Sequence, residues 1–186
     1  MASHPLKGLS RRPFRGKQLI TTLGTLVELP DQAVVLLLGA LLERALEREI
    51  LMRMVRLTRT RRNEMFVGIA PLSSFSAKIK IAYGLAIIGD KGLRELDVIK
   101  DIRNQFAHSI HILSFKTPEI SNACMSLKTP NQALPEFPAG IGRNLTHNPR
   151  NRYLITCFML WAALGRASPA KKRPRRSRTT WTARFL

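Results

Sequence analysis

A chain of 186 residues with 45% hydrophobic content is long enough to bury one core, and no break in composition marks a second domain. Its net charge of +19, from 31 Lys and Arg against 12 Asp and Glu, favours polyanions as partners, nucleic acid before an acidic membrane surface. The cysteines have no CxxC spacing, the histidines (His4, His108, His111, His147) are scattered, and the longest apolar run, Ala33 to Leu42, is about ten residues, so no zinc site, cofactor or membrane span is expected.

The first apolar run follows Pro30 and reads as core, which excludes a secretory signal and points to a cytoplasmic protein with Cys124 and Cys157 reduced. Most of the excess charge sits at the ends. The first 20 residues carry five basic and no acidic side chains, and Gly165 to Leu186 carry eight and none. By subtraction the middle holds 18 basic against 12 acidic residues. The organisation expected is a basic arm over 1–28, a helical domain over 29–164 and a basic disordered tail over 165–186. The fold class is all-α, a compact bundle of about five helices.

In chain order, Pro30-Asp31 opens a helix with Asp31 as cap or first-turn acid. Val34, Val35, Leu38, Leu42, Leu46 and Ile50 make it apolar on more than one side, so it is predicted to be central. Glu49 and Arg53 are spaced to pair, and Glu43 or Glu47 is available to a later arginine. Arg53, Arg56, Arg59, Arg61 and Arg62 then crowd ten residues, either as a solvated helix end or as the border of a nucleic-acid groove. Asn63 to Ala70 reads as a connection in which Met65 and Phe66 plug the core.

Ser73 or Ser74 caps the next helix, whose stripe is Phe75, Ile79, Tyr83 and Ile87, with Gly89 supplying a positive φ at its end. From about Lys91 a second helix carries Leu96, Ile99, Ile102, Phe106 and Ile110 on one face. Its other side stacks Asp97, Asp101, Asn104 and His108 in a row. Arg103, Asn104 and His108 make an R-N-x3-H string. A guanidinium to hold phosphate, an amide to orient it and a near-neutral imidazole to take a ribose 2′-hydroxyl proton are a minimal set for metal-free RNA cleavage. Five residues at about 100° each place Arg103 and His108 some 140° apart on a straight helix. A shared site then requires the helix to end near Phe106 or a second subunit to contribute. Equally, Arg103 could be structural, paired with Glu43 or Glu47.

Thr117-Pro118-Glu119 starts a further helix, with Thr117 as cap and Pro118 at its first position, that buries Ile120, Ala123, Cys124 and Leu127. Prolines and glycines from Thr129 to Pro149 argue against regular structure there. Pro149 to Leu164 is apolar nearly all round and either completes the bundle or forms a dimer seam. The tail offers Lys171, Lys172, Arg173, Arg175 and Arg176 to phosphates, with Trp181 and Phe185 available to stack on bases.

The string PLSSFSAKIKIAYGLAIIG, followed by IRNQFAH and SFKTPEI, resembles the mannitol operon repressor family over roughly 29–127. That resemblance implies an all-helical regulator of sugar-alcohol metabolism without an ordinary helix-turn-helix. Arg103-Asn104 and His108 are also similar to the R-x4-6-H motif of HEPN nucleases, helical homodimers that cut RNA without metal. It implies phosphate binding by Arg103, acid-base chemistry by His108 and support from Asn104. Three readings follow: a transcriptional repressor binding DNA through Arg56, Arg59, Arg61, Arg62 and the tail; a dimeric endoribonuclease; and an interaction module in which the motif only packs helices.

Overall fold

The computed structural model describes residues 28–133 and 147–166. They form α1 (Asp31–Arg53), α2 (Arg59–Phe66), α3 (Phe75–Gly84), α4 (Asp90–His108), α5 (Pro118–Ser126), α6 (Thr129–Ala133) and α7 (Pro149–Arg166), with no strand among them. The protein is all-α. The five helices expected from periodicity are α1, α3, α4, α5 and α7. The basic arm, the proline-rich stretch over 134–146 and the tail from 167 lie outside the described residues.

Two short helices replace expected loops. α2 forms because the Thr58 hydroxyl accepts the Arg61 backbone N–H at 3.3 Å, while Phe66 is buried at its far end and Met65 packs on the core. α6 forms because Glu95, only 7% exposed, accepts the N–H groups of Lys128 and Thr129 at 2.7 and 3.4 Å. A carboxylate placed there satisfies orphan donors and the helix dipole together. Arg152 on α7 grips the other side of the same turn, donating through Nε to the Leu127 carbonyl at 2.8 Å and through Nη1 to Asn131 at 3.0 Å. Burial lowers the Arg152 pKa, and the nearby Glu95 charge works against that shift.

Helix α1 is central, as its apolar pattern requires, and packs against α3, α4 and α7. Val34, Val35, Leu42, Leu46 and Ile50 are wholly buried. Helix α4 runs antiparallel to it, since Gln32 near the start of α1 donates to the Phe106 carbonyl near the end of α4 at 3.2 Å. Helix α7 runs parallel: Arg150 pairs with Asp31 at 2.8 Å where both helices begin, and Gly165 lies against Arg48 farther along. The Asp31 carboxylate also accepts the Phe115 N–H at 2.9 Å, so it ties three segments together; Pro30 holds the cap position, and Asp31 is the first-turn acid of α1, with no side-chain capping bond. Helix α7, the apolar segment, completes the bundle with Tyr153, Leu154, Cys157 and Leu164 buried.

Several local expectations change. Helix α3 stops at Gly84, and the residue with positive φ is Ala86 (φ 52°), not Gly89. Ile87 N–H bonds the Ala82 carbonyl and Ala86 N–H the Tyr83 carbonyl, both at 2.9 Å, which is the Schellman pairing. Tyr83 accordingly faces solvent and donates to Asp90 at 2.7 Å, an interaction that raises its pKa. Ile110 is 93% exposed because α4 ends at His108 and Ser109 turns the chain away. Glu49 pairs with Arg48 at 2.9 Å, not with Arg53. The Thr117 hydroxyl accepts the Ser114 N–H instead of capping α5.

Ala86 carries a side chain in a conformation that costs an L-residue about 1 kcal/mol or more. It is exposed, so a glycine there loses no packing. Ala86→Gly is expected to raise unfolding free energy in urea by about 0.5–1 kcal/mol, allowing for the greater chain entropy of glycine. A loss of stability would contradict this helix cap.

Candidate functional site

The polar side of α4 is partly neutralised from within. Lys100 places Nζ 3.0 Å from Asp97 and 3.3 Å from Asp101. Burial alone would lower the Lys100 pKa, but the hydrogen bonds to Asp97 and then Asp101 outweigh it and raise the value. The row of four polar groups is thus an ion-paired half followed by Asn104 and His108.

Arg103 points into the junction of α1, α4 and α7. Its stem lies on the backbone of α1 at Gly39, so closely that a Cβ on Gly39 would stand 2.8 Å from Arg103 Cγ and 3.4 Å from its Cβ. Its Nη1 donates to Asn104 Oδ1 at 3.1 Å. Tyr153 on α7 is close enough to feel the guanidinium: burial drives the phenol pKa well up, and the Arg103 charge pulls slightly the other way. The Tyr153 hydroxyl donates to the Val35 carbonyl at 3.4 Å.

The expected carboxylate partners of Arg103 are engaged elsewhere. Lys78, 4% exposed, holds Glu43 at 2.8 Å and Glu47 at 3.3 Å, and Arg62 holds Glu47 at 2.7 Å. Among the described residues no carboxylate pairs with Arg103. Glu43 and Glu47 stand four and eight residues beyond Gly39 on α1, roughly 6 and 12 Å along the axis. Lys78 was the signal overlooked in the sequence: it shares a face with Phe75 and Ala82, where a lysine needs acidic company. Glu95, in step with Ile99 and Ile102, was the other.

Arg103 and Asn104 are therefore brought together, and His108 is not. It is exposed at the last position of α4, and no hydrogen bond joins it to Arg103 or Asn104 among the described residues. The helix does not end near Phe106, so the angular separation of Arg103 and His108 persists. His111 is exposed in the following loop, where its backbone bonds the Ser109 hydroxyl.

The arginines form a separate surface at the α1–α2 corner. Gly39 and Arg53 are 14 residues apart on one helix, about 21 Å, so this corner does not converge on Arg103. Arg56 and Arg59 are exposed; Arg61 pairs with Glu64 at 2.8 Å and Arg62 with Glu47. Lys171, Lys172, Arg173, Arg175 and Arg176 lie outside the described residues.

Both cysteines are free and buried. Burial pushes the Cys124 thiol up to about 12 and raises that of Cys157 as well, so each is a protonated packing group. No cluster of three or more His, Cys, Asp or Glu side chains suited to a metal occurs among the described residues. No helix among them is long and apolar enough to cross a membrane.

Compared with known proteins, the chain matches no family model, no curated protein and no solved structure. The two family resemblances rest on the quoted residues alone.

The close approach at Gly39 gives a non-additive prediction. Gly39→Ala should destabilise by about 1–3 kcal/mol through overpacking against the Arg103 stem. Arg103→Ala should also destabilise, by about 1–3 kcal/mol from lost packing and a lost hydrogen bond. Together, Gly39→Ala should become neutral or favourable, since alanine is the better helix former. Chemical denaturation of the four proteins measures the coupling, and strict additivity would contradict the contact.

Proposed function

We propose that this protein is a non-catalytic, nucleic-acid-binding regulator that grips phosphates with the α1–α2 corner, in keeping with its resemblance to the mannitol operon repressor family. The observation that carries the reading is the placement of Arg59, Arg61 and Arg62 in the opening turn of α2, which has no acidic residue. Cations there oppose the helix dipole at roughly 0.3–1 kcal/mol each, a cost that a bound anion reverses. The ion pairs Arg61–Glu64 and Arg62–Glu47 involve arginine side chains 66% and 49% exposed. Such pairs contribute about 0–1 kcal/mol and are readily exchanged for phosphate. Arg56 and Arg59 extend the same surface, and net charge steers a polyanion toward it.

The endoribonuclease reading retains one favourable observation, the Arg103–Asn104 side-chain pair one turn before an exposed His108. Against it stands the use of Arg103 as a packing element inside its own bundle.

The test is duplex DNA binding by the full chain across a salt series. Arg56→Gln/Arg59→Gln should weaken binding on the order of tenfold at moderate salt and reduce the slope of log K against log salt by about 2. An unchanged slope would remove the corner from the interface. RNA cleavage in EDTA that is lost in His108→Ala would replace this reading with the nuclease.

A further inference from the structure

A groove of about 490 Å³ lies between α4 and α5, on the side of α4 away from the Arg103 contact. Val98, Ile102, Leu113 and Ile120 supply its apolar surface, and Asp101 and Glu119 are its only charged lining residues. The chain carries net charge +19, yet this groove is lined by two carboxylates and no cation. Other acids of the domain are already engaged: Asp31 by Arg150, Glu43 and Glu47 by Lys78, Glu49 by Arg48, Glu64 by Arg61, and Glu95 by backbone N–H groups. Glu119 makes no ion pair among the described residues. Asp101, whose side chain is 69% exposed, shares one ammonium with Asp97. The lining itself thus holds two carboxylates and no cation, with Lys100 beside it shared between Asp97 and Asp101.

We propose that this groove receives the chain's own C-terminal segment, with Trp181 or Phe185 in the apolar floor and the basic run 171–178 along Asp97, Asp101 and Glu119. The segment 167–186 holds Lys171, Lys172, Arg173, Arg175, Arg176, Arg178 and Arg184, no acid, and two aromatic residues near its end. That is the complement of the groove: cations for its rim and rings for a cavity in the size range that holds a ligand. Length permits it. From Arg166, Trp181 is 15 residues on and reaches about 50 Å when extended, against about 35 Å for the whole of α1. Tethering replaces bimolecular encounter by an effective concentration near millimolar, so weak complementary contacts suffice.

The tail cations that dock here are those available to phosphate. Docking and phosphate binding by the tail therefore exclude one another, while the α1–α2 corner stays open to a polyanion; this consequence rests on the nucleic-acid reading above, and the docking itself does not.

A water-soluble carbodiimide, which joins an amine to a carboxylate in contact, tests both parts on the full chain at low salt. Peptide mapping of the monomer band should recover Lys171 or Lys172 joined to Asp97, Asp101 or Glu119, with yields falling severalfold in Asp101→Asn/Glu119→Gln, where both positions are exposed. In a Trp161→Phe chain, Trp181 emission should be blue-shifted and shielded from acrylamide, and the same double substitution should abolish the shift. Links confined to other carboxylates, or a Trp181 that is solvent-like throughout, would overturn the proposal. Links found only in a dimer band would overturn its intramolecular form. Adding a 20-nucleotide single strand should suppress the links; links indifferent to it would overturn the competition while the docking stands.

Discussion

Gly39 lets the stem of Arg103 lie directly on the backbone of α1, and the geometry of the bundle follows from that approach. With any larger residue at 39, α4 would be held off from α1, and the Phe106 and Ile102 side chains would lose part of their cover. The guanidinium takes Asn104 as its hydrogen-bond partner, and its charge is felt by the fully buried Tyr153 on α7. Arg103 and Asn104 are thereby held together, while His108 stands exposed at the end of α4 with no hydrogen bond to either among the described residues.

Local pattern alone sufficed where an element is fixed by its own residues. The apolar surround of α1, the buried face Leu96-Ile99-Ile102-Phe106 and the Pro118 start of α5 were legible because periodicity and helix-start chemistry are local. What escaped depends on partners distant in the chain. α6 exists because Glu95, more than 30 residues earlier, supplies its anion. Asp31 is oriented by Phe115 and Arg150, 84 and 119 residues away. Lys78 is tolerated in the interior only because Glu43 and Glu47 face it across 35 residues or so. Of the candidate site, the pairing of Arg103 with Asn104 follows from adjacency, whereas the place of the Arg103 stem against Gly39 could not be read without α1 in position. Ile110 falls outside the core for a simpler reason: the stripe continues in sequence after the helix has stopped.

Charge is apportioned unevenly across the fold. Carboxylates are spent on internal ties, at Asp31, Glu43, Glu47, Glu49 and Glu95, while cations accumulate at the α1–α2 corner with few acids to answer them. The result is a basic surface set about 21 Å along α1 from the Arg103 junction. A second, acidic edge lies along α4 and α5. The first surface favours a polyanion electrostatically and the second does not.

Amide hydrogen exchange of the full chain, with and without duplex DNA at low salt, tests most directly the proposal that nucleic acid binds the α1–α2 corner. Slowed exchange is expected over 53–62, above all at the first-turn N–H groups of α2, with 99–108 unchanged. Protection centred on 103–108 with the corner unaffected would contradict it and return Arg103 and His108 to the interface.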